Sequence, residues 1–344
     1  MKTKLVKMDA LKEAGEIIRA GGLVAFPTET VYGLGADAMN SEAAAKIYAA
    51  KGRPSDNPLI VHIADMEQVD LVAENVPNQA RKIMEAFWPG PLTVILNKKE
   101  TVPDGTTGGL KTVAVRMPSH PGARALIRES RRVIAAPSAN TSGRPSPTTA
   151  GHVMEDMNGK IPMILDGGPV GIGIESTIVD MTGEVPMILR PGYITKAMLE
   201  SVIGTVQIDP AVSGRTMPEH VVAKAPGMKY RHYAPKGKLI LVEGEPDKVI
   251  AEINRRAQEK EQEGFRVGII GTDESIGQYC TGIRRSIGSR EHPDSVAANL
   301  YSILRECDTL ALDYIYSESF FEKGLGNAIM NRMLKAAGYH LITV

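Results

Sequence analysis

Three arginines that each precede a proline are the residues best placed to do chemistry in this sequence of 344 residues. They are Arg53, Arg144 and Arg190, and each stands at a turn beside an apolar run. A residue before proline is pushed towards extended backbone, so each guanidinium group starts from a partly fixed position. Planar guanidinium forks suit phosphate or carboxylate oxygens. One such pair is an ordinary surface turn, but three, together with Lys51 and Arg116, predict an anion-binding site.

A polar loop, APSANTSGRPSPTTAG (136–151), follows the apolar run RVIAA. It offers short hydroxyl groups, among them those of Ser138 and Ser146, and backbone N–H groups around Gly143. Hydroxyl and backbone N–H groups in such a loop commonly bind an anion or, at a helix N-terminus, a phosphate group. The alternative is a plain polar turn that ends in a helix N-cap at Thr148.

Two further segments place polar side chains beside apolar runs. In FPTETVYGLGADA (26–38), a proline breaks a strand just before Thr30, and two glycines permit close backbone approach to a ligand. In KGRPSDNPLIVHI (51–63), Asn57 and His62 flank the start of a buried strand. Tyr32 could instead be a core residue, and His62 a hydrogen-bonded core or edge histidine.

The elements that must position these residues are short strands mixed with helices over residues 1–208. The predicted strands are the β-branched runs LVAF, PLIVHIA, PLTVIL, TVAVRM, RVIAAP, PMILDG and STIVDM. Helices are predicted at 41–51, with Ser41 as N-cap, and near 77–87, 121–129, 148–158 and 195–203. Several strands follow one another without a helix between them. We therefore expect an α/β fold of the α+β kind with a mixed sheet.

The residue composition and the hydrophobic pattern change after residue 208. Residues 209–237 are rich in proline and glycine and show no clear period, which predicts an interdomain linker. From residue 238 to 344, the apolar runs LILVEG, FRVGIIGT and TLALDYIY alternate with helical patterns at 246–263, 295–307 and 321–337. This alternation predicts a smaller, Rossmann-like parallel α/β domain.

Amino-acid composition and the absence of several motifs exclude some classes of function. Forty basic and forty acidic residues give a net charge of zero, whereas a bulk nucleic-acid binder is normally basic. Only two cysteines occur, without CxxC spacing, so we expect no zinc site and no disulfide framework but two buried reduced thiols. No GxxxxGK[ST] loop, HExxH motif or signal peptide is present. We expect a soluble, cytoplasmic protein without a membrane partner.

Taken together, PTETVYGL, KGRPSDNPL…H, PSANTSGRPSPT, STIVD, ILRPG and the later MKYRHYAP resemble the two-domain threonylcarbamoyl-AMP synthases of the YrdC-like family. The resemblance covers essentially the whole chain and implies a twisted, open mixed sheet. It also implies an enzyme that joins L-threonine, bicarbonate and ATP into threonylcarbamoyl-AMP and pyrophosphate. The product would pass to a tRNA threonylcarbamoyl transferase complex that modifies adenosine beside the anticodon.

The resemblance also implies roles for individual residues. Lys51 and Arg53 would be catalytic, with Lys51 close to the phosphates. The residues implied around L-threonine are Thr30, His62, Thr112, Arg116, Ala136 and Ser176. The residues implied around ATP are Arg53, Asn57, Ser138, Ser146, Arg190 and Tyr230. No carboxylate constellation marks a protein metal site, so Mg²⁺ would be held mainly by the ATP phosphates and water.

Two alternatives remain open at this point. A non-catalytic RNA-binding module could use the large concave basic surface that the resemblance also implies, and weak RNA binding could also accompany the enzyme. A carbamoyl-transfer enzyme of the hydrogenase-maturation type contains a related domain, but such proteins are longer and carry CxxC motifs. The linker itself could act as a lid over bound nucleotide, with Tyr230 as a contact, or could simply hold the two domains together.

Overall fold

The computed structural model describes residues 2–213, 232–320 and 323–344. Within these ranges the chain forms two compact units. The first comprises residues 2–142 and 146–213, and the second comprises residues 143–145, 232–320 and 323–344. None of the helices in these ranges is long and apolar enough to span a bilayer.

The first unit mixes many short strands with mostly short helices. Its strands are β1 (Lys4–Lys7), β2 (Val24–Phe26), β3 (Gly33–Asp37), β4 (Ile60–His62), β5 (Ala73–Glu74), β6 (Leu92–Lys98), β7 (Thr112–Arg116), β8 (Ile134–Ala136), β9 (Met163–Asp166), β10 (Thr177–Asp180), β11 (Met187–Arg190) and β12 (Gln207–Ile208). Its helices are α1 (Leu11–Arg19), α2 (Ser41–Lys51), α3 (Val69–Val72), α4 (Asn78–Phe87), α5 (Asp104–Thr107), α6 (Pro121–Ser130), α7 (Ala150–Met157), α8 (Lys196–Ile203) and α9 (Pro210–Ser213).

The strands of the first unit form one mixed sheet, as the sequence predicts. Its order is β1-β9-β2-β3-β8-β4-β7-β6-β10-β11-β12, and β5 pairs with β6. Strands β4 and β7 are parallel, as are β6 and β10, whereas β6 and β7 are antiparallel. Because side chains alternate between the two faces, each central strand contributes to two separate layers.

One face of the central strands carries the main apolar core. Val61, Val94 and Val115 lie there in one buried cluster with side chains from α2, α4, α7 and α8. On the opposite face, a second cluster joins α1 and α6 to β2, β8 and β9. A smaller apolar cluster on this opposite face contains Ile60, Ile95, Ala114, Ile178 and Leu189. The candidate site continues this last cluster along the strands.

The second unit is a parallel sheet flanked by long helices. Its elements are β13 (Lys238–Glu243), α10 (Pro246–Gln262), β14 (Val267–Gly271), β15 (Ile283–Ser286), α11 (Pro293–Thr309), β16 (Tyr314–Glu318), α12 (Leu325–Ala336) and β17 (Leu341–Thr343). The strand order is β15-β14-β16-β13-β17, and the four pairings between these strands are all parallel. This confirms the predicted Rossmann-like α/β class.

Several local predictions differ from the structure. The strand predicted over TLALDYIY begins only at Tyr314, because α11 runs to Thr309 and Ala311 turns with φ of +50°. Helix α7 is capped by Thr149, whose side chain accepts from His152 N, and not by Thr148. The prediction of two buried thiols is wrong for Cys280, which is exposed.

The residue that caps the N-terminus of helix α2 can be tested directly. The predicted cap, Ser41, is the first helical residue, and Asn40 is the cap: its Oδ1 accepts from Glu42 N and Ala43 N at 3.0 and 3.1 Å. We expect Asn40→Ala to lower the free energy of unfolding by about 1 kcal/mol, since two backbone donors lose their partner. Urea unfolding would measure this, with Ser41→Ala as the matched control at about 0.5 kcal/mol or less. A larger loss for Ser41→Ala would contradict the assignment.

Candidate active site

A row of polar side chains crosses the sheet next to the apolar cluster of Ile60, Ala114 and Ile95. His62 at the end of β4 pairs with Arg116 at the end of β7. Val94 of β6 pairs with Val115, which brings Thr93 opposite Arg116. His62, Arg116 and Thr93 each lie two residues along their strands from a member of the apolar cluster, so they share its face.

Arg116 is held by the loop that precedes β3. It is 4% exposed; its Nη1 donates to Thr30 Oγ1 at 2.9 Å, and its Nη2 lies 2.7 Å from Glu29 Oε1. Burial alone would raise the pKa of Glu29, but the charge and hydrogen bond of Arg116 lower it overall. The pair is therefore ionised, and Arg116 presents a fixed cation in a buried setting. Such a group suits a carboxylate.

His62 is a neutral imidazole in this row. It is 4% exposed, and its ring lies edge-on to Phe26 with centroids 6.1 Å apart. Burial, with the nearby charge of Arg116, lowers the pKa of His62 to about 3. Its Nδ1 lies 3.1 Å from Ile60 O, which can only accept, so Nδ1 carries the proton. His62 can therefore contribute shape and polarity here without adding positive charge.

The low pKa of His62 has a measurable effect on stability. An unfolded histidine has a pKa of about 6.5. Below that pH the unfolded chain binds a proton that the folded chain does not, so the free energy of unfolding falls as pH falls towards 3. The loss is at most about 1.4 kcal/mol per pH unit. We expect His62→Asn to show a shallower loss between pH 6.5 and 4 in urea unfolding, and equal slopes would contradict this.

Ser176 and Arg190 extend the row. Ser176 Oγ lies 2.7 Å from Thr93 Oγ1, and Arg190 donates from Nε to Ser176 O and from Nη2 to Ser176 Oγ, both at 3.0 Å. All three side chains are buried. Arg190 therefore orients the Ser176 hydroxyl, and both residues lie on the face that carries Arg116.

The turn after α2 forms a second group. Arg53 follows Gly52, which caps α2 with φ of +62°, and its Nη2 donates to Asn57 O at 3.1 Å and to Pro58 O at 3.0 Å. Asn57 is 1% exposed, and its Oδ1 accepts no hydrogen bond from the described residues. A buried polar atom in that state calls for a partner, and a bound ligand is one.

Lys51 links this turn to the polar loop. It is 2% exposed, and its Nζ donates to the carbonyl oxygens of Ser138 and Asn140. The Ser138 hydroxyl donates to Asn140 Oδ1 at 2.5 Å, and Ala139 N donates to Tyr32 O at 2.8 Å. The loop therefore runs directly beside the segment that carries Thr30, so the two groups adjoin.

Four predicted site residues remain: Ser146, Ala136, Thr112 and Tyr230. Ser146 donates to Glu175 Oε1 at 2.6 Å, and Ala136 is a buried β8 residue paired with Ile60. Thr112 begins β7 while Arg116 ends it, about 13 Å away along an extended strand. The structure therefore does not bring Thr112 to the row. Tyr230, the predicted nucleotide contact, and most of the predicted lid lie outside the described residues.

Two further residues from the sequence analysis have defined surroundings. Arg144 groups with the second unit, where its Nη2 lies 3.4 Å from Asp308 Oδ2. Tyr32 is a core residue: it is fully buried, and its hydroxyl donates to Gly168 O at 2.7 Å.

The sequence analysis missed Glu29, Thr93 and Glu175. Each contacts a predicted site residue, as described above for Arg116, Ser176 and Ser146. Glu29 sits inside the PTET motif between two threonines, so its position beside Thr30 was the one available signal. Thr93 looks like any β-branched strand residue, and its role depends on the register of β6 against β7.

Comparison with known proteins agrees with this architecture. A family model described as "Telomere recombination", for Sua5, YciO and YrdC proteins, matches residues 16–192. A second model, described as "Threonylcarbamoyl-AMP synthase, C-terminal domain", matches residues 194–338.

Individual relatives match over nearly the whole chain. The threonylcarbamoyl-AMP synthase of Pyrococcus abyssi is 50% identical over 97% of this chain and 96% of that protein. The one from Bacillus subtilis is 50% identical over 96% and 94%. The crystal structure of P. abyssi Sua5 complexed with L-threonine gives a TM-score of 0.93 at 48% identity, covering 99% of this chain and 100% of that one. The chain therefore belongs to the threonylcarbamoyl-AMP synthase family, in the form that carries both matched domains.

Proposed function

We propose that this protein makes threonylcarbamoyl-AMP and pyrophosphate from L-threonine, bicarbonate and ATP. The proposal rests on family membership and on one structural observation, the buried polar row of His62, Arg116, Thr93, Ser176 and Arg190. This row offers two fixed cations, Arg116 and Arg190, and two hydroxyl groups, Thr93 and Ser176, on a single sheet face. A compact, zwitterionic hydroxy amino acid fits that set of groups.

Within the row, Arg116 is the proposed partner of the threonine carboxylate. The Thr30 hydroxyl accepts a hydrogen bond from Arg116 Nη1. We propose that it donates its own proton to a threonine bound on Arg116. Ser176, oriented by Arg190, is proposed to contact the threonine side chain. His62 and Ala136 shape the neighbouring wall, and Thr112 keeps only the role implied by family resemblance.

We propose that ATP binds at the turn after α2 and at the polar loop beside it. Asn57 offers a buried amide oxygen, and Arg53 offers a guanidinium group to the phosphates. The hydroxyl groups of Ser138 and Ser146 donate to Asn140 Oδ1 and Glu175 Oε1, and we propose that they turn towards the nucleotide when it binds. Lys51 donates to two loop carbonyls here, so we propose that it fixes the 138–140 loop beside the phosphates and adds positive charge there. Arg190 and Tyr230 complete the proposed ATP contacts, with Tyr230 outside the described residues.

The substrate complex would be MgATP. Among the described residues, no three carboxylate, histidine or cysteine groups form a metal site. We propose that Mg²⁺ arrives on the phosphate oxygens, because it prefers oxygen ligands and keeps several waters.

The reaction needs positioning and charge stabilisation more than a covalent nucleophile. The threonine amine and bicarbonate give a carbamate and water. A carbamate oxygen then attacks the α-phosphorus, the bond to the β-phosphate bridge breaks, and pyrophosphate leaves with that electron pair. Because the carbamate is a weak nucleophile, fixing the threonine on Arg116 and the phosphates on Arg53 sets the line of attack.

The decisive experiment incubates the protein with ATP, bicarbonate and each amino acid, then identifies the adenylate by mass. We expect pyrophosphate release and a threonylcarbamoyl-AMP peak only when threonine and bicarbonate are both present. Adenylate without bicarbonate, or with threonine replaced by any other amino acid at the same rate, would overturn the proposal. We further propose a cytoplasmic enzyme that passes its product to a tRNA threonylcarbamoyl transferase complex, with any direct RNA binding being weak.

Substitution of Arg53 should affect the KM for ATP far more than the KM for threonine. We expect Arg53→Ala to raise the KM for ATP by about tenfold to a hundredfold, since a charge-assisted contact to phosphate is worth roughly 1.5–3 kcal/mol. The KM for threonine should change much less. Initial rates of pyrophosphate release at varied ATP and varied threonine measure both constants. Arg131→Ala, which removes an exposed arginine at the end of α6, is the control and should leave both unchanged. Equal loss for both substrates in Arg53→Ala would contradict the division of the site.

A further inference from the structure

The polar loop that carries Ser138 and Ser146 is divided between the two units. Its residues 138–142 and 146 belong to the first unit, whereas residues 143–145, here called the loop tip, belong to the second. The tip therefore connects two residues proposed to contact ATP. Any role of the groups that hold the tip rests on the proposed function, in which both serines contact the nucleotide.

One side of helix α11 holds the loop tip. Arg305 is 3% exposed, and its Nη2 donates to Pro145 O at 2.7 Å. Asp308, three residues further along the helix, has its Oδ2 at 3.4 Å from Arg144 Nη2. Residues three apart on a helix are neighbours, so both contacts come from the same side of α11. The tip is thus held through its main chain and through a side chain.

Asp308 has a second partner in the segment that leads into β13. Its Oδ1 accepts from Lys236 N at 2.7 Å. Two residues earlier, Ala234 N donates to Gly143 O at 3.0 Å. Asp308 therefore contacts Arg144 directly and also fixes the segment that binds the tip backbone.

The first unit holds the chain on either side of the tip. Ser142 N donates to Lys51 O at 2.9 Å, and Pro147 O accepts from Tyr32 N at 2.9 Å. The three tip residues therefore join two points that are each fixed by backbone hydrogen bonds.

The sequence of this stretch makes it stiff. In Arg144-Pro145-Ser146-Pro147, each proline ring fixes φ at about −65°, and each residue before a proline is restricted to extended backbone. Bond rotations in the stretch therefore absorb little of a displacement at Pro145. A shift of the Pro145 carbonyl group is passed on to Ser146, whose side chain is fully buried.

We infer that Arg305 and Asp308 are positioning residues for the ATP site. By holding the loop tip, they place Ser146 and the end of the 138–142 segment for the nucleotide. Neither side chain has to touch ATP, because the stiff chain between Arg144 and Pro147 carries the effect. The second unit thereby contributes to ATP binding through helix α11.

Arg305→Met tests this role in the full-length protein, because methionine keeps an unbranched apolar stem and removes the donor to Pro145 O. We expect the Kd for MgATP, measured by calorimetry, to rise about fivefold to tenfold, at the low end of couplings between separate sites. The KM for threonine, from pyrophosphate release at saturating ATP, should stay within about twofold. Arg305→Lys keeps a donor and a charge and should recover most of the affinity. A lower thermal midpoint with an unchanged Kd would mean that Arg305 only stabilises the second unit, and would overturn the role.

Asp308→Asn is a milder second variant. It keeps an amide oxygen for Lys236 N and removes the charge that pairs with Arg144, so we expect the Kd for MgATP to rise about threefold. Glu306→Gln is the matched control: it removes an ion pair of the same helix, that with Arg285 of β15, and should leave the Kd and both KM values unchanged.

The two measurements separate this role from the synthase reaction. If the wild-type protein bound MgATP but released no pyrophosphate with threonine, the proposed reaction would be wrong, and the Kd values of the variants would still decide the positioning role. If the wild-type protein made product and both α11 variants kept its Kd for MgATP, only the positioning role would be wrong. A wild-type protein that bound no MgATP would overturn both.

Discussion

Removing the cation of Arg116 should nearly abolish threonine use by this protein. Its guanidinium is buried and fixed by Glu29 and Thr30, so a carboxylate bound there gains charge-assisted hydrogen bonds with little reorganisation. Such bonds are worth roughly 1.5–3 kcal/mol each. Two of them predict a loss in kcat/KM for threonine of about a hundredfold or more. Steady-state pyrophosphate release at varied threonine would measure it, and the KM for ATP should stay within about threefold.

The variant must be designed around Glu29. Arg116→Met alone leaves a buried carboxylate without its ion pair, which costs roughly 3–5 kcal/mol and could unfold the first unit. Arg116→Met combined with Glu29→Gln removes both charges and avoids that penalty. Glu29→Gln alone keeps the cation but also breaks the buried pair, so it is the matched control for that penalty: its thermal midpoint is expected to fall, while its loss in kcat/KM for threonine stays below about tenfold. If the double variant kept its thermal midpoint and its KM for threonine, Arg116 would not bind the carboxylate.

Local sequence signals were sufficient where a residue's role depends on its own segment. Pro54 and Gly52 fix the turn that carries Arg53, and the β-branched run before His62 predicts a strand with a polar residue at its end. The mixed sheet and the parallel second unit also follow from how strands and helices alternate. These are features that short stretches encode.

Contacts between distant segments could not be predicted in this way. Glu29 and Arg116 are 87 positions apart (116 − 29), and their ion pair depends on where the loop before β3 meets the end of β7. Lys51 has the residue type of a phosphate ligand, yet its donors reach two carbonyl groups of a loop almost 90 residues away. Sheet register decides both, and no local pattern specifies it.

Threonine should be preferred over valine by a factor of about a hundred or more in kcat/KM. The two amino acids have nearly the same shape, so an apolar pocket would separate them poorly. A site built to pair a substrate hydroxyl rejects the analogue that lacks it, because its own buried polar groups then lose a partner. Here the hydroxyls of Thr93 and Ser176 are buried on one sheet face, and that of Thr30 is buried in the loop that contacts Arg116.

The role of Ser176 in that preference can be isolated. Its hydroxyl contacts Thr93 and accepts from Arg190, so Ser176→Ala removes a group that Arg190 orients. We expect threonine to lose about tenfold in kcat/KM while valine changes little, since a neutral hydrogen bond is worth roughly 0.5–1.5 kcal/mol. Ser201→Ala, on the exposed side of α8, is the control and should leave both rates unchanged. Pyrophosphate release with each amino acid gives the ratio directly. If wild-type protein turned over both amino acids equally, the polar row would not recognise the hydroxyl group of its substrate.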